Sequence, residues 1–99
     1  MKYKVMLSSA ALADIEQATE WYESQLEGLG ERMQKLLFLS IDEIESNPFT
    51  IAKRYKEVRV KFLPRFPYGI HFHIEDEIIK IVGFFHMKRD PIKWNDRLG

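Results

Sequence analysis

The sequence predicts an α+β fold, in which a short strand and two helices precede a three-stranded antiparallel sheet. Between Ser9 and Asn47, apolar residues recur at spacings of three and four, as on the buried side of a helix. After Pro48 the spacing changes to two, which is typical of half-buried strands. Because two amphipathic helices suffice to cover one side of a small sheet, both are expected to pack on the same face.

The first half of the chain carries clear signals for where its elements begin and end. The run from Tyr3 to Leu7 predicts a strand, and Ser8-Ser9 is an N-cap signal for the first helix. Gly28-Leu29-Gly30 predicts a turn into a second, antiparallel helix. That helix should end at Asn47, because the residue before a proline avoids the helical conformation.

The helical spacing assigns a buried and an exposed side to each helix. The positions expected to be buried are Leu12, Ile15, Ala18, Tyr22 and Leu26 in the first helix and Met33, Leu36, Leu37, Ser40, Ile41 and Ile44 in the second. A second stripe on the first helix, expected to face solvent, consists of Glu16, Glu20, Glu23 and Glu27.

Alternation in the second half predicts which residues share a sheet face. The apolar set is Val58, Val60 and Phe62, then Phe66, Tyr68, Ile70, Phe72 and Ile74, then Ile79, Ile81 and Phe85 of the third run, which extends from Ile78 to His86. With a turn at Asp76-Glu77, Ile74 pairs with Ile79, Phe72 with Ile81 and Tyr68 with Phe85. This register leaves a basic opposite face that carries Arg59, Lys61, His71, His73, Lys80 and His86, with Arg65 at the strand entrance.

Length and composition limit the class of protein. A chain of 99 residues with 45% hydrophobic and 30% charged residues is expected to form one globular domain over residues 1–99. Without cysteine it has no disulfide and no thiolate nucleophile. No apolar stretch approaches the roughly 18 residues of a membrane span, and the N-terminus lacks a signal-peptide core, so a cytoplasmic protein with no membrane partner is expected.

Charge is distributed unequally along the chain although the net charge is zero. Nine of the 15 acidic residues lie in residues 1–50, and 11 of the 15 basic residues lie in residues 51–99. This asymmetry predicts an acidic and a basic face. The basic face suits nucleic acid, a phosphodiester undergoing cleavage, or an acidic peptide, and charge alone does not choose among them.

Signatures of metal sites and of common catalytic classes are missing. His71, His73 and His86 share the predicted open face, but Lys80 opposite His73 would repel a cation, so neither a metal nor another cofactor is expected. No serine has the setting of a nucleophile, and Gly28-x-Gly30 is too short for a phosphate-binding loop. Phe66, Tyr68 and Phe72 could form a base-stacking platform, but the face they share with Ile70 and Ile74 predicts that they are core residues.

Five features of the sequence, namely its order of elements and four short motifs, occur together along the chain. They are the element order itself, Ala11-x-x-Asp14-Ile15, Asn47-Pro48, Arg65-Phe66-Pro67-Tyr68-x-Ile70, and the ending His86-x-x-Arg89-Asp90-Pro91-x-x-Trp94-x-x-Arg97. In this the chain resembles the RelE/ParE toxin superfamily of type II toxin–antitoxin systems, to which plasmid stabilisation proteins belong. The resemblance implies a toxin that a cognate antitoxin neutralises in a hetero-oligomer, by wrapping around it.

Two activities occur in that superfamily, and the departures of this chain favour one of them. RelE-like members cut messenger RNA on the ribosome with a basic cluster, whereas ParE-like members poison DNA gyrase without chemistry of their own. This chain has Gly69 where the ribonucleases carry an arginine, and Trp94 where they place a tyrosine, although Arg89 matches their late arginine. Losing such groups costs transition-state stabilisation, so a ParE-like, non-enzymatic gyrase inhibitor is favoured. A ribosome-dependent ribonuclease and an inactive relic are the alternatives.

The resemblance and the predicted basic face together give the candidate site residues. For the ribonuclease alternative the catalytic candidates are Arg65, His86 and Arg89, with His86 able to act as a general acid or base. The candidates for binding the antitoxin or the target are Arg59, Lys61, Arg65, Lys80, His86, Arg89, Trp94 and Arg97.

Overall fold

The computed structural model describes residues 3–88, which form a sheet covered on one face by two helices. The elements are β1 (Lys4–Leu7), α1 (Ser9–Gln25), α2 (Leu29–Ser46), a 3₁₀ turn (Pro48–Thr50), β2 (Lys53–Tyr55), β3 (Val58–Phe62), β4 (Tyr68–Glu75) and β5 (Ile78–His86). The predicted α+β class and the antiparallel meander of β3, β4 and β5 are confirmed.

Two strands extend the meander into a mixed sheet of order β1-β5-β4-β3-β2. The first strand pairs with β5 in the parallel direction. Parallel strands cannot be joined by a tight hairpin, and here both helices and the other strands lie between β1 and β5 in the sequence. The short strand β2, which the sequence analysis missed, pairs antiparallel with β3. Its sequence Lys-Arg-Tyr carries one hydrophobic residue, too few for an alternation to be recognised.

The helical hairpin forms for the local reasons that the sequence indicates. The Ser8 hydroxyl accepts a hydrogen bond from the Ala11 amide at 3.0 Å and caps α1. Gly28 turns the chain with φ 88°, a conformation that favours glycine. The predicted end of α2 before Pro48 is also confirmed.

A single apolar core lies between the helices and one face of the sheet, here called the helix face. Its fully buried large side chains include Phe72, Met33, Leu37, Ile70 and Ile79. In α2 the predicted burial is confirmed except at Leu36, which is only partly buried. In α1 the predictions for Leu12 and Leu26 are wrong, since both are more than half exposed. Ala11 is buried instead, because a small residue allows α1 to lie close to the sheet.

The pairing of β4 with β5 follows the prediction on one side of a bulge and departs from it on the other. Ile74 pairs with Ile79 and Phe72 with Ile81, as predicted. Between His71 and Phe72 the register shifts, so that Tyr68 lies opposite His86 and not opposite Phe85. The extra residue in β5 turns Phe84 into the core at 2% exposure and moves Phe85 to the other face.

The face assignment of β3 is the main correction to the predicted basic face. Directly paired residues share a face, and Arg59 pairs with Phe72 while Val60 pairs with His71. Arg59 and Lys61 therefore lie on the helix face, and Val58 and Val60 are buried on the opposite face, here called the far face. Alternation identified the two sides of β3 correctly but does not say which side the helices cover.

His71 shows that the far face is not an open basic surface. Its side chain is 1% exposed, and its Nδ1 atom lies 2.9 Å from the hydroxyl of Tyr55 on β2. The ring of Phe85 packs against it edge to face, with centroids 4.9 Å apart. This region therefore forms a second, smaller packed layer.

Neither helix described within residues 3–88 combines the length and apolar character needed to cross a membrane.

Candidate functional site

A concave surface of about 630 Å³ lies between α2 and the loop that leads into β4, and is here called the cationic pocket. Its apolar wall consists of Tyr22, Leu29, Leu36, Phe66 and Pro67. Three cationic side chains complete the lining, Arg32 and Lys35 from α2 and Arg65 from the loop. An apolar floor with a few charged groups at the rim is the usual composition of a site that binds a side chain or a peptide segment.

Contacts between aromatic rings hold the apolar wall of the cationic pocket, which is also its floor, in place. The rings of Tyr22 and Phe66 meet edge to face with centroids 5.0 Å apart, and Tyr22 also contacts Tyr68 at 6.0 Å. Tyr68 in turn stacks on the buried Phe84 at 4.8 Å. Such pairs are directional, so the pocket is formed before any ligand arrives, which lowers the entropic cost of binding.

The loop of residues 63–67 projects Arg65 from the surface beside this floor. A backbone hydrogen bond from the Leu63 amide to the Tyr68 carbonyl closes the loop, and another from the Met87 amide to the Pro67 carbonyl anchors its C-terminal side. Arg65 has φ 68°, a left-handed conformation that a residue with a side chain adopts only when its surroundings impose it. The guanidinium is therefore carried by a constrained segment.

The cations of the pocket are poorly neutralised by the protein itself. Among residues 3–88, neither Arg32 nor Arg65 forms an ion pair. Lys35 contacts Glu31 at 3.7 Å, but both side chains are 73% exposed, and such surface pairs contribute little. The pocket thus has excess positive charge available to an acidic ligand.

Arg59 and Lys61 occupy a separate place, at the margin of the helix face. The guanidinium of Arg59 donates a hydrogen bond to the Ile51 carbonyl at 2.6 Å and lies over the Phe49 ring. The ammonium of Lys61 pairs with Glu43 of α2 at 3.1 Å. Both cations are thus engaged by their own chain, which leaves them less available to a partner than Arg65.

Lys80 and His73 lie on the far face, opposite each other, as the sequence predicts. Lys80 donates to Glu75 at 2.8 Å, and this hydrogen bond and the charge of Lys80 lower the pKa of the Glu75 carboxyl. The three histidines do not meet, because the bulge moves His86 to the side of Tyr68 while His71 is buried under Tyr55. Among residues 3–88 no cluster of potential metal ligands occurs.

We expect Lys80→Met to raise the pKa of Glu75 toward its ordinary value, because the lowered pKa depends on Lys80. In the native protein the ion pair of Lys80 and Glu75 stabilises the fold at pH values above the ordinary glutamate pKa. This contribution is lost as the pH falls through the lowered pKa of Glu75. NMR titration of the side-chain carboxyl measures the change. Lys53→Met is the matched control, since it should raise the pKa of Glu57 and leave Glu75 unchanged. An unchanged Glu75 titration in Lys80→Met would contradict the pairing.

Comparison with known proteins identifies the chain. Residues 5–91 match the family model described as the ParE toxin of the type II toxin–antitoxin system, parDE. The chain belongs to the ParE toxin family. No match was found among curated proteins.

Two solved structures share the fold of the ParE-family toxin. A chain from the chromosomal ParDE system of P. aeruginosa superposes with a TM-score of 0.78 at 14% identity, covering 87% of this chain and 97% of the other. A chain from the RelBE2 toxin–antitoxin complex of Mycobacterium tuberculosis gives a TM-score of 0.60 at 14% identity, covering 87% and 99%. At such identities the likeness concerns the fold.

In the ParE-family toxin, the structure collects some of the predicted site residues and separates others. Arg65 and His86 lie at the same end of the β4–β5 hairpin, since His86 pairs with Tyr68. Arg59 and Lys61 lie at the margin of the helix face, and Lys80 lies on the far face. Arg89, Trp94 and Arg97 fall outside the described residues.

The sequence analysis missed Arg32 and Lys35 as members of a site. They stand in a helix whose other charged residues are acidic, and the basic surface was sought only in the second half of the chain. One signal was present, because these are the only basic residues of α1 and α2. Two basic residues among many acidic neighbours make the electrostatic potential of the helix surface locally positive.

Proposed function

We propose that this toxin arrests growth by binding DNA gyrase, without cleaving RNA, and that a cognate antitoxin neutralises it by covering the cationic pocket. The observation that carries the non-enzymatic part is the environment of Gly69, where the ribonucleases that the chain resembles place an arginine. A Cβ atom built on Gly69 would lie 2.7 Å from Cγ1 of Val60. An arginine at this position would therefore require the Val60 side chain to move, so the packing around Gly69 disfavours a catalytic cluster centred here.

The distribution of cations also favours binding over catalysis. Arg59 and Lys61 are engaged by their own chain, and Lys80 is on the opposite face from Arg65. Phosphodiester cleavage needs several such groups converging on one phosphate. The cationic pocket instead combines positive charge with a rigid apolar floor, which suits a protein segment that carries acidic and apolar side chains.

Two assays on the purified toxin test the target. We expect inhibition or trapping in a gyrase supercoiling assay, and intact messenger in a ribosome-dependent cleavage assay. Arg65→Glu should weaken gyrase inhibition by about tenfold or more, because it reverses a pocket charge that no carboxylate neutralises in the described chain. Lys80→Glu is the matched control, since Lys80 lies on the far face.

The alternatives give distinct results in the same experiments. Messenger cleavage in the ribosomal A site that Arg89→Ala abolishes would overturn the gyrase proposal and establish the ribonuclease. In that case His86→Gln should remove a limb of the pH–rate profile near neutrality. Absence of growth arrest when the folded protein is induced would indicate an inactive relic.

The antitoxin part of the proposal is tested by salt and charge reversal. Both solved relatives named above come from toxin–antitoxin systems, and an acidic segment fits the unneutralised Arg32 and Arg65. Affinity for the antitoxin should therefore fall as ionic strength rises and in Arg65→Glu. Affinity that responds to neither would place the antitoxin elsewhere on the toxin.

A further inference from the structure

The side chains of the cationic pocket offer hydrogen-bond donors and almost no acceptors. Arg32, Lys35 and Arg65 can only donate, whereas the Tyr22 hydroxyl can donate or accept. Within residues 3–88, no carboxylate or amide side chain lines the pocket. The polar atoms of a ligand held here must therefore be acceptors, which excludes a basic ligand.

The positive charge of the pocket exceeds what one carboxylate neutralises. Of its three cations, only Lys35 has an ion pair in the described part of the chain, the exposed contact with Glu31. A phosphomonoester carries a charge of about −1.5 to −2 at pH 7 and has three terminal oxygens that accept hydrogen bonds. Guanidinium groups match such oxygens in a planar, bidentate geometry. A phosphomonoester therefore fits two arginines and a lysine better than a single carboxylate does.

The cations lie on two sides of the pocket. Arg32 and Lys35 stand three positions apart on α2, a spacing that places side chains next to each other on a helix. Arg65 comes from the loop on the other side, where the Tyr68 amide donates to the Phe66 carbonyl at 2.8 Å and closes a three-residue turn. This turn and the left-handed conformation of Arg65 constrain the loop, so little backbone ordering is needed when an anion binds.

The apolar wall of the pocket indicates a ligand larger than a bare phosphate. Tyr22 and Phe66 contribute aromatic rings and Pro67 a saturated ring, beside Leu29 and Leu36. An apolar group that displaces water from such a wall binds favourably, and aromatic rings pack well on one another. The volume of about 630 Å³ falls within the roughly 300–1,000 Å³ of small-molecule sites. A ligand with an aromatic ring on its phosphate satisfies both the wall and the cations.

We infer that the cationic pocket binds a small aromatic phosphomonoester, with its ring on the apolar wall and its phosphate between Arg65 and the two cations of α2. The binding goes beyond the proposed function, since neither gyrase nor an antitoxin is needed for it. A bound ligand would occupy the surface proposed above for the antitoxin, so the two would exclude each other. This exclusion, unlike the binding itself, rests on the proposed function.

Phenyl phosphate is the probe, titrated into the isotope-labelled toxin and followed by NMR. We expect saturable binding with a Kd below about 2 mM, accompanied by shifts of the ring signals of Tyr22 and Phe66. Inorganic phosphate should bind at least about tenfold more weakly, because it lacks the ring that the apolar wall accommodates. Arg65→Gln and Arg32→Gln should each weaken the binding of phenyl phosphate several-fold.

Arg54→Gln is the matched control for the two arginine variants. Arg54 is also an exposed arginine beside an aromatic ring, since its guanidinium lies 5.4 Å from the centroid of Phe62, but it is outside the pocket. This variant should leave the Kd of phenyl phosphate unchanged. Circular dichroism of each variant verifies that the fold is retained.

Several results would overturn the ligand site. These are a Kd above about 2 mM, equal binding of inorganic phosphate, or equal weakening by Arg54→Gln and Arg65→Gln. Tighter binding of benzoate than of phenyl phosphate would also overturn it, because the pocket would then select a carboxylate.

Competition separates the ligand site from the proposed function. At about ten times its Kd, phenyl phosphate should lower the affinity of the toxin for its antitoxin about tenfold. Phenyl phosphate that binds in the pocket and leaves this affinity unchanged would overturn the exclusion and the placement of the antitoxin over the pocket. Failure of phenyl phosphate to bind would instead overturn the ligand site and leave the placement of the antitoxin standing.

Discussion

Phe72→Ala is expected to destabilise the toxin by about 3–5 kcal/mol, the range found when a buried aromatic ring is removed. Phe72 is 0% exposed, pairs with Ile81 in the middle of the sheet and belongs to the core beneath the helices. Small domains have a total stability of only about 5–15 kcal/mol. The variant should therefore lose a large fraction of its stability, which equilibrium urea unfolding measures.

Leu39→Ala is the control for Phe72→Ala, because Leu39 is 58% exposed and lies outside the core. Its free energy of unfolding should change by no more than about 0.5 kcal/mol. A loss below about 1 kcal/mol in Phe72→Ala would contradict the assignment of the helix face and would make the aromatic residues of β4 available for ligand binding.

Asp14→Ala is expected to destabilise the toxin by about 1–3 kcal/mol, because it removes a hydrogen bond to the backbone at the β5 bulge. The Asp14 carboxylate accepts this bond from the Phe84 amide at 3.1 Å, directly after the register shift. The bulge determines that Phe84 enters the core and that His86 lies beside Tyr68. We therefore also expect the NMR signals of His86 to shift in this variant.

Two further variants separate the hydrogen bond from the charge. Asp14→Asn retains a side-chain oxygen that can accept from the Phe84 amide, so it should lose less stability than Asp14→Ala. Asp42→Ala removes an exposed carboxylate from α2 and should have little effect. Equal stability of Asp14→Ala and the wild type would mean that the bulge forms without this bond.

Part of the candidate site was predictable because it follows from local sequence. Arg65 was predicted next to β4, where the cationic pocket lies, since the Arg-Phe-Pro-Tyr segment precedes a clear alternation. Arg32 and Lys35 were not, because they join the pocket only when the hairpin packs beside the loop that leads into β4. Contacts between residues about 30 positions apart in sequence depend on the packing of whole elements, which no local pattern encodes.

The sequence by itself determined the helices, the meander and the family, because N-caps, prolines and hydrophobic periods act over a few residues. Only the tertiary structure decided which face the residues of β3 and of the end of β5 occupy. A shift of one residue reverses a face, so the bulge in β5 and the pairing of Val60 with His71 were enough to divide the predicted basic face. As a result, His71 is part of a second packed layer on the far face. Of the residues predicted for the basic face, Arg65 lies at the cationic pocket, together with Arg32 and Lys35 of α2.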